Sequence, residues 1–113
     1  MIEITLQDYL SGELAEPVVL EVPHPAPASY VVLQKTGSSR ENMIDTATFA
    51  IQSIAPTLYE AAALNERVKD AMELLPWAAP SVFKAALNSD SNFTNPNTKE
   101  RRYQAVYHIT YKE

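Results

Sequence analysis

The chain has 113 residues, of which 46% are hydrophobic and 20% are charged, and it contains no cysteine. That length suits one domain with a single core, and the lack of cysteine excludes disulfide bonds, thiol chemistry and cysteine-ligated zinc. No apolar run reaches the roughly 20 residues that a membrane-spanning helix needs, and the acidic N-terminus does not resemble a signal peptide. We therefore expect a single domain, residues 1–113, in a reducing cytosol with no membrane partner.

The net charge of −5 is concentrated at the start of the chain. Residues 1–34 carry five acids and no Lys or Arg, whereas residues 35–113 carry nine acids and nine bases. The dense basic cluster near the end is small and is interrupted by Glu100. Proteins that hold DNA or RNA tightly present a basic surface that releases counterions. Tight nucleic-acid binding is therefore disfavoured.

The first predicted elements are a helix and a short strand. Apolar residues recur at helical spacing over residues 4–14, which predicts a short amphipathic helix that ends near Gly12 or at Pro17. The β-branched residues 18–22 then predict a strand, and the alternating prolines of residues 23–27 predict a stiff, extended connector. This part of the chain is expected to lead from a helix into a sheet.

A β-hairpin is predicted next. Residues 29–36 have the strongest strand composition of the chain, and residues 46–54 alternate with a period of two, so that the larger side chains share one face. The polar residues 37–42 predict a loop that carries the chain back between them. These two strands should pair in the antiparallel sense.

A long helix is predicted over residues 57–75, where apolar positions recur at steps of three and four. These positions are Leu58, Ala61, Leu64, Val68, Ala71 and Leu75. Thr57 with Glu60 matches a capping box at the helix start, and Pro76 stops the helix. The apolar stripe must pack on another apolar surface, which a sheet would supply.

The last third of the chain predicts a turn and a second hairpin. Residues 77–80 predict a turn or a short helical piece in which Trp77 plugs the edge of the core, and residues 81–87 predict a strand. The polar residues 88–99 predict an exposed hairpin tip, and residues 102–112 alternate cleanly as a terminal strand. One face of that strand, expected in the core or at a subunit interface, carries Tyr103, Tyr107 and Tyr111.

The order helix, strand, strand, strand, helix, strand, strand predicts an α+β fold. We expect one antiparallel sheet of about four to five strands, covered on one face by the long helix, with the short helix at the N-terminus.

The sequence contains no recognisable catalytic or metal-binding motif. His24 and His108 have no partner at the spacing of metal ligands. Glycine occurs only at Gly12 and Gly37, whereas a nucleophile elbow or a phosphate-binding loop needs several glycines close together. Paired carboxylates on the long helix are expected to face solvent. We therefore expect no enzyme, no catalytic residue, no metal and no cofactor.

Several segments resemble one protein family. They are residues 45–55 (DTATFAIQSIA), residues 59–64 (YEAAAL) with Val68, and residues 107–111 (YHITY). Together with the layout of a short N-terminal helix, a proline-rich connector and a hairpin, they resemble the small tail-terminator, or tail-completion, proteins of long-tailed bacteriophages and prophages. These are patterns of strand and helix rather than a chemical motif.

The resemblance implies a structural protein of virion assembly. Such proteins form a ring, usually of six subunits, that caps the tail tube, ends its polymerisation and joins the tail to the head connector. For this chain the resemblance implies a homo-oligomer, present in the host cytoplasm during assembly and then in the tail-neck region of the virion, with DNA passing through the ring. Two alternatives stay open, a head-completion or connector protein of similar fold and a small-molecule or peptide-binding module.

Two polar segments and an arginine pair supply the candidate interface residues, since long loops often have a function. They are Ser38, Ser39, Arg40, Glu41, Asn42, Met43, Asn92, Phe93, Asn95, Asn97, Lys99, Arg101 and Arg102. Arg101 and Arg102 face opposite sides of a strand, so one can bind a neighbour's carboxylate while the other is solvated. Asp8 and Glu13 either solvate the first helix or face a lumen through which DNA passes.

Overall fold

The computed structural model describes residues 1–94, 96 and 100–112, and within them the chain forms three helices and five strands. In chain order these are α1 (Ile2–Glu13), β1 (Val18–Val19), β2 (Tyr30–Glu41), β3 (Ile44–Ala55), α2 (Leu58–Glu73), α3 (Leu75–Ala78), β4 (Val82–Asn92) and β5 (Arg101–Tyr111). This is the predicted α+β fold. Over the ranges described, no helix combines the length and the apolar character that crossing a membrane requires.

The five strands form one sheet in the order β1-β2-β3-β5-β4. The pairs β2 with β3 and β4 with β5 are the predicted antiparallel hairpins, and β3 also pairs with β5 in the antiparallel sense. β1 pairs in parallel with β2, through Val18 opposite Val31 and Val19 opposite Val32. The strand predicted at residues 18–22 is thus only two residues long, and it makes an otherwise antiparallel sheet mixed.

The core lies between one face of the sheet and the two longer helices. The fully buried residues of β3 on this face are Ala47, Phe49, Ile51 and Ser53. The helices contribute Ile2, Leu6, Leu10, Ala61, Leu64, Val68, Ala71 and Met72. Because a period of two in a strand and steps of three and four in a helix each place apolar residues on one surface, the sequence pattern builds this core. Tyr107 and Tyr111 are buried in it too.

α2 begins at the predicted residue. Thr57 Oγ1 accepts a hydrogen bond from Glu60 N at 3.1 Å, which satisfies one of the free backbone N–H groups of the first turn. The helix ends at Glu73, and the chain passes directly into α3, whose first turn contains Pro76. A proline is tolerated there because the first N–H groups of a helix have no partner within it. The helical piece predicted at residues 77–80 therefore begins two residues earlier.

The loop predicted at residues 37–42 is wrong. β2 continues through this segment to Glu41, which pairs opposite Ile44 of β3. The turn itself consists of Asn42 and Met43, whose φ angles of 53° and 66° are the positive values that a tight two-residue hairpin turn needs. Glycine and serine have low strand propensity, so the composition of this segment concealed a strand that pairing with β3 stabilises.

Candidate assembly surfaces

The structure places the first group of predicted interface residues in a strand and a tight turn. Ser38, Ser39, Arg40 and Glu41 belong to β2, and Asn42 and Met43 form the turn. Arg40 Nε donates to Asp45 Oδ1 at 2.5 Å, and this bond holds the pKa of the Asp45 carboxyl below its usual value. Met43 is 75% exposed at the end of the hairpin. Strand pairing therefore holds this group in place, with Met43 as its apolar tip.

The second group lies at the opposite end of the sheet. Asn92 is the last residue of β4, and the next residue, Phe93, is half exposed while its N–H donates to Arg102 O at 2.8 Å. The predictions for Asn95, Asn97 and Lys99 fall outside the described residues. The hairpin tip predicted at residues 88–99 starts too early, because its first residues belong to β4. Phe93 is thus the apolar side chain at this end.

The two predicted arginines differ in their surroundings. Arg102 Nη1 donates to Gln52 Oε1 at 2.8 Å, and Arg102 Nη2 forms an ion pair with Glu100. The Arg101 side chain is exposed, and within the described ranges it makes no hydrogen bond or ion pair. Arg101 is therefore the one available to a neighbour's carboxylate, whereas Arg102 is bound within its own sheet.

Polar side chains bond across strands on the face of the sheet that the helices leave uncovered. Gln52 Nε2 donates to Gln104 Oε1 at 3.0 Å, and Thr48 Oγ1 lies 3.0 Å from His108 Nδ1. Each pair joins β3 to β5 at residues that lie directly opposite each other. Cross-strand pairs of this kind stabilise a sheet. Beside them the same face carries a small buried apolar cluster of Tyr30, Val32 and Ile54, so hydrogen bonds and this second cluster together organise the face.

The prediction that Trp77 plugs the edge of the core is wrong, since its side chain is 87% exposed. α3 is one turn long and buries Leu75, which occupies the place expected for Trp77. Three further large apolar side chains are exposed on the same stretch of chain, which runs from the end of α2 into β4. We call this segment of the chain the β4 flank, and its exposed apolar side chains are Leu74, Trp77, Phe83 and Leu87. The flank was missed in the sequence, although the near absence of charge in residues 74–87 marks it.

Both sides of the sheet have an open edge. β4 is the last strand, and no strand of the described part of the chain pairs with its outer side. On the other side β1 covers β2 only at Val31 and Val32, and no other strand among the described residues pairs with the outer side of β2. The unpaired N–H and C=O groups of such edges can pair with another chain. The structure therefore has two places where a further strand could be added.

An ionic cluster holds β4 against α2. Lys69 Nζ lies 2.5 Å from Asp90 Oδ2 and 2.9 Å from Glu66 Oε1, and Asn65 Nδ2 donates to Asp90 Oδ1 at 2.7 Å. Burial alone would raise the pKa of Asp90, but the bonds from Lys69 and Asn65 outweigh it and hold that pKa below its usual value. The same bond to Asp90, with a second from Glu66, raises the pKa of Lys69. The cluster binds β4 to α2, and it does not involve the backbone groups on the outer edge of β4.

Four of the five acidic residues of the N-terminal part, all but Glu21, lie on or beside α1 and fall into two sets. Glu3 pairs with Lys35 at 3.2 Å, and Glu16 pairs with Arg67 at 2.6 Å, which lowers the pKa of Glu16. Asp8 and Glu13, by contrast, are exposed on α1. Whether these two solvate the helix or line a lumen stays a prediction, since both roles need exposed carboxylates.

One cavity, of about 560 Å³, lies between the start of α1 and the end of the β2–β3 hairpin. Its lining includes Glu3, Lys35, Arg40 and Asp45, whose charges are neutralised in pairs.

In the part of the chain that the structure describes, no three His, Asp or Glu side chains gather into a group that could hold a metal ion. The buried Tyr107 phenol has a pKa raised by burial to about 12 and stays protonated at neutral pH.

Neither a scan against protein-family models nor a search of curated protein sequences returned a match to this chain. The likeness to tail-terminator proteins stays a resemblance in sequence pattern. The open sheet edges, the β4 flank and the two ends of the sheet are the structural features on which a functional proposal can be based.

Proposed function

We propose that the chain is a tail-terminator protein, a structural subunit that caps the tail tube of a long-tailed bacteriophage as an oligomeric ring. The observation that carries this proposal is a sheet with an open edge on each side. Two different edges let identical copies join head to tail, and such contacts close into a ring when the rotation between copies allows it. The ring of six, the tail tube below it and the head connector above it come from the family resemblance.

The two ends of the sheet support contacts along the ring axis. Met43 is exposed at the end formed by the β2–β3 hairpin, and Phe93 and Arg101 are exposed at the opposite end. A subunit that joins two different partners needs one surface for each, and apolar side chains with a charged neighbour are typical of protein interfaces. In this proposal one end meets the tail tube and the other meets the head connector.

The proposed role consists of binding rather than chemistry, so the chain needs no cofactor and acts as no enzyme. It also places the chain in the host cytoplasm during assembly and at the tail neck of the virion afterwards. DNA passes through the ring without being held, because the chain has a net charge of −5 and repels phosphate.

The test is a capping assay with purified tail tubes of the same phage. Tubes are polymerised with and without the purified chain and viewed by negative-stain electron microscopy. The proposal predicts tubes that stop growing and carry an extra ring at one end. Tubes of unchanged length without a bound ring would contradict it.

The same assay separates the open alternatives. A head-completion or connector protein would bind isolated portal or connector rings and leave tube growth unchanged. A small-molecule or peptide-binding module would bind neither assembly. No contact within the described residues favours either alternative over the tail-terminator role, and the sequence resemblance is what supports that choice.

A further inference from the structure

We propose that a groove between α2 and β4 binds an arginine side chain of a partner protein. The groove, which we call the α2–β4 groove, has a volume of about 380 Å³, and its lining includes Glu66, Lys69, Asp70, Glu73, Leu87 and Tyr107. The proposal is independent of the tail-terminator role, because it depends only on the charges and the hydroxyl group of this groove.

The groove has negative charge that the fold does not neutralise. Glu66, Asp70 and Glu73 are exposed and lie at steps of four and three on α2, so their carboxylates share one side of the helix. Lys69 is already bound to Asp90 at 2.5 Å and to Glu66 at 2.9 Å. The side chains of Asp70 and Glu73 make no hydrogen bond or ion pair within the described ranges. These two carboxylates are therefore available to a cation from outside the chain.

The position of these carboxylates is unfavourable for the isolated fold. Asp70 and Glu73 lie in the last turn of α2, which carries no basic residue, and the C-terminal end of a helix has a partial negative charge. Like charges three or four residues apart in a helix also repel each other. Arg67, the other cation of α2, is bound to Glu16 at 2.6 Å. Residues that break a local rule of folding without compensation are typical of functional sites.

A buried tyrosine gives a second, independent indication of a ligand. Tyr107 lines the groove and is only 4% exposed, yet its hydroxyl has no hydrogen-bond partner among the residues that the structure describes. Buried tyrosine hydroxyls usually have a partner. Burial raises the pKa of the phenol to about 12, and four charged side chains also act on it, which locates the phenol among them: Lys69, Asp90, Glu73 and Asp70. The hydroxyl is thus free to accept a hydrogen bond from a ligand in the groove.

The chemistry of the lining favours a guanidinium group over other cations. Among the described residues no group of three carboxylates or imidazoles could hold a metal ion. A guanidinium has five N–H donors in one plane, so it can bind carboxylates and a hydroxyl together, and it stacks on aromatic rings. Ala85 and Leu87 add apolar lining on which the methylene stem of an arginine can pack. The volume is near the lower end of the roughly 300–1,000 Å³ of ligand pockets, which suits a single side chain.

The place of the groove favours a protein as the source of this arginine. The groove adjoins β4, and no strand of the described chain pairs with the outer side of β4. A segment of another protein can add to such an edge. Because side chains alternate along a strand, every second side chain of the added segment would lie on the α2 side of the sheet, where the groove opens.

The test is a titration of the full ¹⁵N-labelled chain, followed by its amide shifts in NMR spectra at low salt, since salt screens exposed charges. The probe is butylguanidinium, and the control is butylurea, a neutral molecule of nearly the same shape. We expect shifts around the groove that saturate with a dissociation constant of about 1–10 mM for butylguanidinium and no saturation with butylurea. Equal binding of the two, or no saturation of either below about 50 mM, would overturn the proposal.

Two further probes test the choice of ligand. We expect a capped glycine–arginine–glycine tripeptide to bind at least as tightly as butylguanidinium, and butylammonium to bind more weakly. Exclusion of the tripeptide from a groove that accepts butylguanidinium would assign the site to a free organic cation and overturn the protein partner. Tighter binding of butylammonium would overturn the choice of arginine.

Three variants test the residues of the site. Asp70→Asn should weaken binding about fivefold and raise the midpoint of thermal unfolding, because it removes an unfavourable charge. Tyr107→Phe keeps the ring and should weaken binding about tenfold, with an unchanged circular dichroism spectrum. Asp8→Asn is the matched control, since Asp8 is an exposed carboxylate on α1 and does not line the groove.

Binding that both groove variants leave unchanged, or that Asp8→Asn weakens equally, would contradict the site. A lower unfolding midpoint for Asp70→Asn would mean that this carboxylate serves the fold, and it would contradict the site as well. Failure of the chain to cap tail tubes would count against the proposed function and would leave these results as they are.

Discussion

β3 and β4 both pair with β5 and have nearly the same length, twelve and eleven residues, yet they differ in burial. Every residue of β3 from Phe49 to Ala55 is buried, whereas in β4 Val82 alone is. Position explains this difference, because β3 has a strand on each side, the helices above one face and the apolar cluster of Tyr30, Val32 and Ile54 on the other, while β4 pairs with one strand of the described chain. β3 therefore contributes more to the buried core than β4 does, and β4 keeps most of its side chains exposed.

The largest effect is expected from a matched pair of phenylalanines. Phe49 in β3 is fully buried, and Phe83 in β4 is 54% exposed. Phe49→Ala should lower the free energy of unfolding by about 3–5 kcal/mol because it leaves a cavity in the core. Phe83→Ala should change it by less than about 0.5 kcal/mol. Urea unfolding of both variants measures this contrast, and equal losses would break the comparison.

A smaller effect is expected where β4 does contribute to stability. Asp90→Ala removes the bonds from Lys69 and Asn65 and should cost about 1–2 kcal/mol, mainly because the buried Asn65 amide is left without an acceptor. Glu66→Gln is the control, because the Glu66 carboxylate is 66% exposed and shares the same lysine. Urea unfolding should show little change for it. If Asp90→Ala leaves the free energy of unfolding unchanged, the cluster does not hold β4 on α2.

The pH dependence of stability follows from the same carboxylate. The folded protein holds the pKa of Asp90 below its ordinary value of 3.8. A lowered carboxyl pKa stabilises the fold above the unfolded value and loses that contribution as the pH falls through the folded value. The loss of unfolding free energy below pH about 4 should therefore be steeper in the unchanged chain than in Asp90→Asn. Parallel pH profiles of the two in urea titrations would contradict the assignment.

The two arginines give the smallest contrast. Arg102→Ala removes the bonds to Gln52 and Glu100 and should destabilise the fold by about 1 kcal/mol. Arg101→Ala should change stability by less than about 0.5 kcal/mol, because its side chain is exposed and has no bond in the described ranges. Thermal unfolding compares the two. A larger loss of stability for Arg101→Ala than for Arg102→Ala would contradict these assignments.

The features that the sequence predicts correctly are the ones that depend on residues close together in the chain. The alternation around Phe49 and the apolar steps of α2 identified the elements and the faces that form the core. Thr57 is the N-cap residue of α2, as predicted, because the capping pattern spans only a few residues of the chain. The α+β class followed from the order of these elements.

The features that the sequence does not predict depend on contacts between residues far apart in the chain. Residues 37–41 are strand because β3 lies beside them, which their own composition does not indicate. The position of Trp77 just past a helix end, between Pro76 and Pro80, predicts that it plugs the edge of the core, but Leu75 is the buried residue there. Which of Arg101 and Arg102 would be bound depended on Gln52, fifty positions away from Arg102. The candidate surfaces could be found only once the topology had identified β4 as an edge strand.

Hydrogen–deuterium exchange of the unchanged chain, measured by mass spectrometry at low and high concentration, tests the division between β3 and β4 most directly. Exchange reports the opening of each segment separately. We predict slow exchange in β3 at both concentrations, and exchange in β4 that slows only when the chain associates. Exchange in β4 that is independent of concentration, or as slow as that of β3 in the monomer, would contradict the account.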